Sequence, residues 1–143
     1  MRDSGNGRAI TRRLLTAADL TPLRVEAVVM ARAAGLGEDR AAHFALAVNE
    51  IAANTIVHAA GTGEVTLMWD GNRTVYARIT DRGPGIRPET AGHNPQPAAA
   101  GGRGLWLTRR LIDGFRVDSS PDGTTVHLKM ITAPADTVPE DTA

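Results

Sequence analysis

The stretch that decides the fold is residues 38–80, EDRAAHFALAVNEIAANTIVHAAGTGEVTLMWDGNRTVYARIT. Its first half predicts a helix over about 38–60, because apolar residues recur at three- and four-residue spacing. The period then changes to two, which predicts strands over 64–69 and 74–80 joined by a hairpin turn at 70–73. The predicted buried stripe of the helix consists of Phe44, Val48, Ile51, Ala52 and Thr55.

Towards the N-terminus, the sequence predicts one more helix and, less definitely, one more strand. Apolar residues repeat at helical spacing over 22–34, with Thr21 and Pro22 as N-cap and first residue and Gly35 beyond the end. Residues 10–16 fit a short strand or a frayed lead-in almost equally well.

Towards the C-terminus, strands dominate. A helix is predicted from about Gly104 to Asp113, followed by strands at 115–119 and 124–131. Helices come first and antiparallel strands come later. This order predicts an α+β, two-layer sandwich with a mixed, mostly antiparallel sheet that helices cover on one face.

Length and composition indicate a single domain. The chain has 143 residues, of which 42% are apolar, enough for a core without metals or disulfides. We predict a domain over 10–132 between two disordered tails, residues 1–9 and 133–143, which are polar and carry no apolar period.

Charge and cysteine content exclude several classes of function. Sixteen basic residues balance sixteen acidic ones, which disfavours general nucleic-acid binding. The absence of cysteine excludes disulfides, thiolate metal sites and cysteine nucleophiles, and it fits a reducing compartment. Neither a membrane-spanning apolar run nor a signal-peptide core is present, so we expect a soluble, cytoplasmic protein without membrane contact.

Three motifs carry candidate chemistry, and the first lies on the long helix. Glu50 and Asn54 are four residues apart, which places them about 40° apart on one helix face. An amide oxygen suits Mg²⁺, and a carboxylate can accept a proton from a hydroxyl or water. A solvated helix face is the more common explanation for this pair taken alone.

The second and third motifs are glycine-rich. Asp81-Arg82-Gly83-Pro84-Gly85-Ile86 follows a strand, and it is either a plain turn or a place where a flat ring meets an acceptor carboxylate. Gly101-Gly102-Arg103-Gly104-Leu105 precedes a helix and could cradle phosphate. Between them lies a Gly-, Pro- and Ala-rich segment, roughly 82–102, which is typical of a functional lid.

In combination, the motifs resemble the GHKL (Bergerat-fold, histidine-kinase-like) ATP-binding family. The closest resemblance is to its small single-domain branch, the bacterial anti-sigma factor serine/threonine kinases. The stretches that carry it are LAVNEIAANTIVHA (46–59), ITDRGPGI (79–86), GGRGLWLTRRLID (101–113) and GTTVHLKM (123–130).

The resemblance implies two roles on the helix. Asn54 would hold Mg²⁺ that bridges the phosphates of ATP, and Glu50 would be the general base that polarises the substrate hydroxyl. Two departures from the family pattern are evident. Asn49 stands where a serine or another small residue is common, and the lid residues 88–100 contain neither lysine nor arginine.

The resemblance also implies the nucleotide contacts. Asp81 would bind the adenine amino group, with Gly83 and Gly85 allowing close approach, Ile86 lining the pocket, and Thr125 near the adenine with Asp81. The residues expected to meet the phosphates are Gly102, Arg103, Gly104 and Leu105.

The function implied is that of an ATP-dependent serine/threonine protein kinase that phosphorylates an anti-sigma factor antagonist and sequesters a sigma factor. A homodimer contact near residues 10–34 is expected from the same resemblance. The alternative is an ATP-binding regulatory module that sequesters a protein partner without kinase activity, which the lysine- and arginine-free lid favours. A histidine-kinase catalytic domain is disfavoured, because the first 45 residues leave no room for a phosphoacceptor module.

Overall fold

The computed structural model describes residues 7–14, 16–59, 63–82 and 108–132. Residues 108–111 are helical. The other elements are β1 (Arg8–Leu14), a 3-10 turn (Ala17–Asp19), α1 (Leu20–Ala33), α2 (Glu38–Ala59), β2 (Gly63–Trp69), β3 (Thr74–Asp81), β4 (Gly114–Ser120) and β5 (Gly123–Ile131).

The five described strands form one sheet in the order β1-β2-β3-β5-β4, with β3 at its centre. All four pairings between them are antiparallel. The predicted α+β two-layer sandwich is confirmed. The expectation of a mixed sheet is wrong for these strands, because β1 also runs antiparallel to its only neighbour.

Both helices pack on one face of the sheet, and the core lies between the two layers. Along β3 and β5, alternate residues are buried, as expected for strands with one covered face. Four alanines of α2, at positions 41, 45, 47 and 52, are also buried, so the helix lies close to its neighbours. The core side chains of these elements include Phe44, Val48 and Ile51 from α2 and Val75, Ile79, Val126 and Leu128 from the sheet.

Two predicted boundaries change at the N-terminus. β1 begins at Arg8, which pairs with Trp69, so residues 8 and 9 belong to the sheet rather than to a tail. α1 begins at Leu20 instead of Pro22, because it continues directly from the 3-10 turn, whose own first residues are held by a capping box. In that box the amide of Ala18 donates to the Thr16 hydroxyl at 3.2 Å, and the Thr16 amide donates to the Asp19 carboxylate at 2.9 Å.

Two arginines tie the helices to the sheet. Arg12 on β1 donates two hydrogen bonds to Glu26 on α1, at 3.1 and 2.7 Å. Arg40 on α2 donates to Asp113 at 2.6 Å and to the backbone oxygen of Ile131 at 2.8 Å. Within the described ranges, no helix is both long and apolar enough to span a bilayer.

Candidate functional site

α2 buries one side and turns a carboxylate and an amide away from it. The predicted stripe from Phe44 to Thr55 is buried, whereas Glu50 and Asn54 are half-buried. The predicted separation of the two faces of this helix is therefore confirmed. Glu50 makes no hydrogen bond or ion pair with any residue that the structure describes.

The side-chain amide of Asn54 has an unsatisfied polar atom. Its Nδ2 atom is buried and has no hydrogen-bond partner among the described residues. A neutral amide oxygen is a ligand that Mg²⁺ accepts together with phosphates and water, so Asn54 fits the predicted ion.

Asn49 has an unsatisfied acceptor. Its Oδ1 atom is buried and has no hydrogen-bond partner among the described residues. Asn49 and Asn54 lie about 140° apart around the helix axis, with Glu50 between them on the outward face. The sequence marked Asn49 only as a departure from the family pattern. The orientation of its amide depends on the packing around α2.

The end of α2 that carries Asn54 lies at the end of the sheet that carries Asp81. Gly63, the first residue of β2, packs so closely on Thr55 that a Cβ atom on Gly63 would lie 2.5 Å from Thr55 Cγ2. The next residue of β2, Glu64, pairs with Thr80, which precedes Asp81 on β3. Asn54 on α2 and Asp81 at the end of β3 therefore lie at the same end of the sandwich.

Asp81 is paired with the start of β5, at a point of very close contact. Its register partner is Thr124, whose side chain is buried with only 2% of its surface exposed. The Thr124 hydroxyl also lies 3.1 Å from the Ser119 hydroxyl on β4. Gly123 has a φ of +152°, and a Cβ atom there would overlap the backbone oxygen of Asp81. Asp81 and Thr124 thus face the helix layer together.

Thr125 does not lie where the sequence analysis placed it. It pairs with Thr80, and the two hydroxyl oxygens are 3.4 Å apart on the face of the sheet that points away from the helices. The expectation that Thr125 accompanies Asp81 is wrong, because neighbouring residues of a strand point to opposite faces. The residue that was missed is Thr124. The two-residue period of buried Val126, Leu128 and Met130, continued backwards, was the signal that would have identified it.

The remaining predicted contacts lie outside the described residues. This holds for the lid residues 83–102 and for the first part of the helix predicted from Gly104. Thr108, where the description resumes, is fully buried, and its hydroxyl has no partner among the described residues. The predicted binding residues outside the described ranges are Gly83, Gly85, Ile86, Gly102, Arg103, Gly104 and Leu105.

Comparison with known proteins decides the family. The model of the histidine kinase-like ATPase domain matches residues 14–130, which include both α2 and the Asp81–Thr124 junction. The chain belongs to the histidine kinase-like ATPase domain family. Membership of this family supports ATP binding, normally with Mg²⁺, and an ATP-dependent, kinase-like activity. The resemblance inferred from the motifs is thereby confirmed at the level of the family.

Solved structures show the same fold. One match is a crystal structure of the RsbU and RsbW domains of Rv1364c from Mycobacterium tuberculosis, with 18% identity and a TM-score of 0.62, covering 87% of this chain and 32% of that one. Another is the histidine kinase domain of the blue-light activated histidine kinase EL346 from Erythrobacter litoralis. It has 18% identity and a TM-score of 0.52, covering 85% of this chain and 63% of that one.

The ATPase domain therefore spans about a third of the first of these proteins and less than two thirds of the second. No curated protein matches the chain. At 18% identity, the similarity to these structures establishes the fold of the ATPase domain alone.

Proposed function

We propose that this ATPase domain is a serine/threonine protein kinase that phosphorylates an anti-sigma factor antagonist and sequesters a sigma factor. The family and its ATP-dependent, kinase-like character support the chemistry, and the similarity to a protein that contains an RsbW domain supports the regulatory setting. Phosphorylation would release the antagonist and leave the protein free to hold its sigma factor. The identity of the partner proteins and the choice of serine or threonine as the phosphate acceptor are our proposal.

The residues of this chain divide the work. The side-chain oxygen Oδ1 of Asn54 would hold Mg²⁺, and the ion would supply positive charge beside the phosphates. Asp81 would accept a hydrogen bond from the adenine amino group, next to the hydroxyl of Thr124. Glu50 would take the proton of the acceptor hydroxyl. The hydroxyl oxygen would form its bond to the γ-phosphorus while the bond from that phosphorus to ADP breaks.

The observation that carries the proposal is the position of Glu50. Glu50 is half-buried, its carboxylate has no partner among the described residues, and it lies about one helical turn from Asn54 on the same face of α2. A carboxylate in this position is ready to accept a proton, because no cation or donor of the described chain competes for it.

The experiment that tests the proposal separates binding from transfer. Proteins that bind the chain are recovered from its native cytoplasm, and transfer from labelled ATP to them is measured together with ATP affinity. Glu50→Gln should keep ATP affinity within about twofold and lower the transfer rate by about 10²–10⁴. Asn54→Ala should lower both Mg²⁺-dependent ATP binding and transfer. Glu38→Gln, an exposed carboxylate in the first turn of α2, is the matched control and should change neither.

A binding module without transfer is the second candidate. The absence of lysine and arginine over residues 88–100 favours it, because lid cations would otherwise stabilise the transferring phosphoryl group. If the wild-type protein binds ATP but transfers no phosphate to any of the partner proteins that it binds, the module is correct and the kinase is not.

A further inference from the structure

The face of the sheet opposite the helices forms a surface that the nucleotide site does not use. We call it the open face. α1 and α2 both pack on the other side, so neither covers it. Its central side chains come from four strands and are Met68, Tyr76, Arg78, Arg116, His127 and Lys129.

Tyr76 divides the open face into two grooves of different character. One groove, of about 530 Å³, is mostly apolar and is lined by Ala9, Met68 and Trp69. The other, of about 280 Å³, is lined by Arg116, His127 and Lys129. A half-buried tyrosine between an apolar and a cationic groove is the kind of anchor on which protein interfaces are built.

The strands of this face carry positive charge that is not balanced locally. Asp118 is bonded to Arg116 and His127, at 3.2 and 3.3 Å, and it is one of the two carboxylates that the strands place on the open face. The other, Glu64, lies directly opposite Arg13.

Two exposed cations remain beside Tyr76. Lys129 lies across from it on β5, and Arg78 lies two residues further along β3. Neither has a hydrogen bond or an ion pair with a described residue.

We propose that the open face binds an acidic segment of a partner protein, with an aliphatic side chain in the apolar groove and carboxylates beside Arg78 and Lys129. Charge complementarity carries this choice. A second copy of the chain docked face to face would bring the unbalanced cations of both copies together. Nucleic acid is disfavoured because the chain as a whole has no net positive charge.

The size of the face favours a short segment. Five strands spaced about 4.8 Å apart, with about seven residues each, cover roughly 500 Å². A stable interface between two folded proteins usually buries about 800 Å² on each partner. The open face therefore fits a short acidic stretch of a partner rather than the whole surface of a folded domain.

The test uses synthetic peptides of about ten residues, titrated to about 2 mM, a range that covers weak binding. One peptide contains Asp, Glu and two leucines. In matched peptides the acids become amides or the leucines become serines. We expect amide NMR signals of Tyr76, Arg78 and Lys129 to shift with the first peptide, with affinity at least tenfold weaker for either matched peptide. ATP affinity should stay the same, because the open face lies on the other side of the sheet.

Protein variants locate the contact. Arg78→Glu combined with Lys129→Glu should lower peptide affinity at least tenfold, and the milder Lys129→Gln should lower it about threefold. Arg24→Glu, at an exposed arginine of α1 on the other layer, reverses one positive charge as each of the two open-face substitutions does, and it should have less than a twofold effect. Thermal unfolding midpoints confirm that each variant is folded.

Four results would overturn the proposal. They are the absence of peptide binding up to the highest concentration, equal losses from Arg24→Glu and the open-face variants, tighter binding of an oligothymidine of similar length, and self-association in the ultracentrifuge that Lys129→Glu changes.

Discussion

Gly123 holds the start of β5 against the backbone of Asp81. Its φ of +152° is a conformation that residues with a Cβ atom rarely adopt, and a Cβ atom would overlap the Asp81 carbonyl oxygen. The position of Asp81, which we propose as the adenine acceptor, therefore depends on a glycine that belongs to another strand.

Gly123→Ala should destabilise the protein and weaken ATP binding together. The strained φ and the overlap should cost about 2–4 kcal/mol of unfolding free energy, the range for strain at a special backbone position. ATP affinity should fall at least tenfold in calorimetry on the folded fraction, because β5 must move away from Asp81.

Gly71→Ala is the control for this prediction. Gly71 also has a positive φ, but it lies in the β2–β3 hairpin at the far end of the sheet. It should lower stability without changing ATP affinity, and equal losses of affinity in both variants would contradict the role of the junction.

Thr124 and Thr125 should differ in their effect on nucleotide binding. Thr124→Val removes a buried hydroxyl on the same face as Asp81, and it should lower ATP affinity by about 1–2 kcal/mol. Thr125→Val acts on the open face and should change affinity less than twofold. Ser119→Ala removes the hydroxyl that lies 3.1 Å from the Thr124 hydroxyl, and it shows whether loss of this contact alone lowers ATP affinity. A larger loss for Thr125→Val than for Thr124→Val would restore the placement expected from the sequence.

Asp81→Asn should reduce the preference for adenine. Replacing one acceptor oxygen by an amide donor opposes the exocyclic amine, so ATP affinity should fall by about 1–3 kcal/mol, while GTP affinity should fall less. Calorimetry with both nucleotides measures the ratio. Asp122→Asn makes the same charge change in the exposed turn before β5 and should leave both affinities unchanged. Equal ATP affinity in wild type and Asp81→Asn would contradict the proposal that Asp81 accepts a hydrogen bond from adenine.

Glu26→Gln should lower stability by about 0.5–1 kcal/mol in urea unfolding, because it breaks a paired contact between β1 and α1 in which the side chains are 29% and 28% exposed. Arg116→Gln, in a pair whose side chains are 68% and 57% exposed, should change stability by much less. The side-chain hydrogen bond to Glu26 raises the pKa of Arg12.

A folded-state pKa raised above the unfolded one means that the stabilisation is complete below the unfolded pKa and is lost only as pH rises through the folded one. The titration of Arg12 should therefore leave stability unchanged at neutral pH and reduce it only in strongly alkaline solution. The pH at which stability begins to fall should be lower in Glu26→Gln. A loss of the wild-type contribution near neutral pH would contradict this assignment.

Periodicity was enough to predict α2 and the face that it turns outward. A helix of that length with a continuous apolar stripe can bury only one side, so Glu50 and Asn54 had to lie on the other side. The strands were predicted for the same reason, since alternation over β2 and β3 fits only a sheet with one covered face. These features depend on neighbours within one element.

The pairing register of β5 and the direction of β1 could be known only from the tertiary structure. Whether Thr124 or Thr125 accompanies Asp81 depends on how β5 pairs with β3, and a shift of one residue would exchange their faces. The parallel or antiparallel direction of β1 likewise depends on a partner more than 50 residues away in the chain.

The sequence alone determined the order of the described elements and the helix that carries Glu50 and Asn54, because those follow from local spacing. The tertiary structure decided that Asn54 and Asp81 lie at the same end of the sheet, and that Thr124 accompanies Asp81. These depend on contacts between distant elements, where packing and hydrogen bonding select one arrangement among several that the local pattern allows.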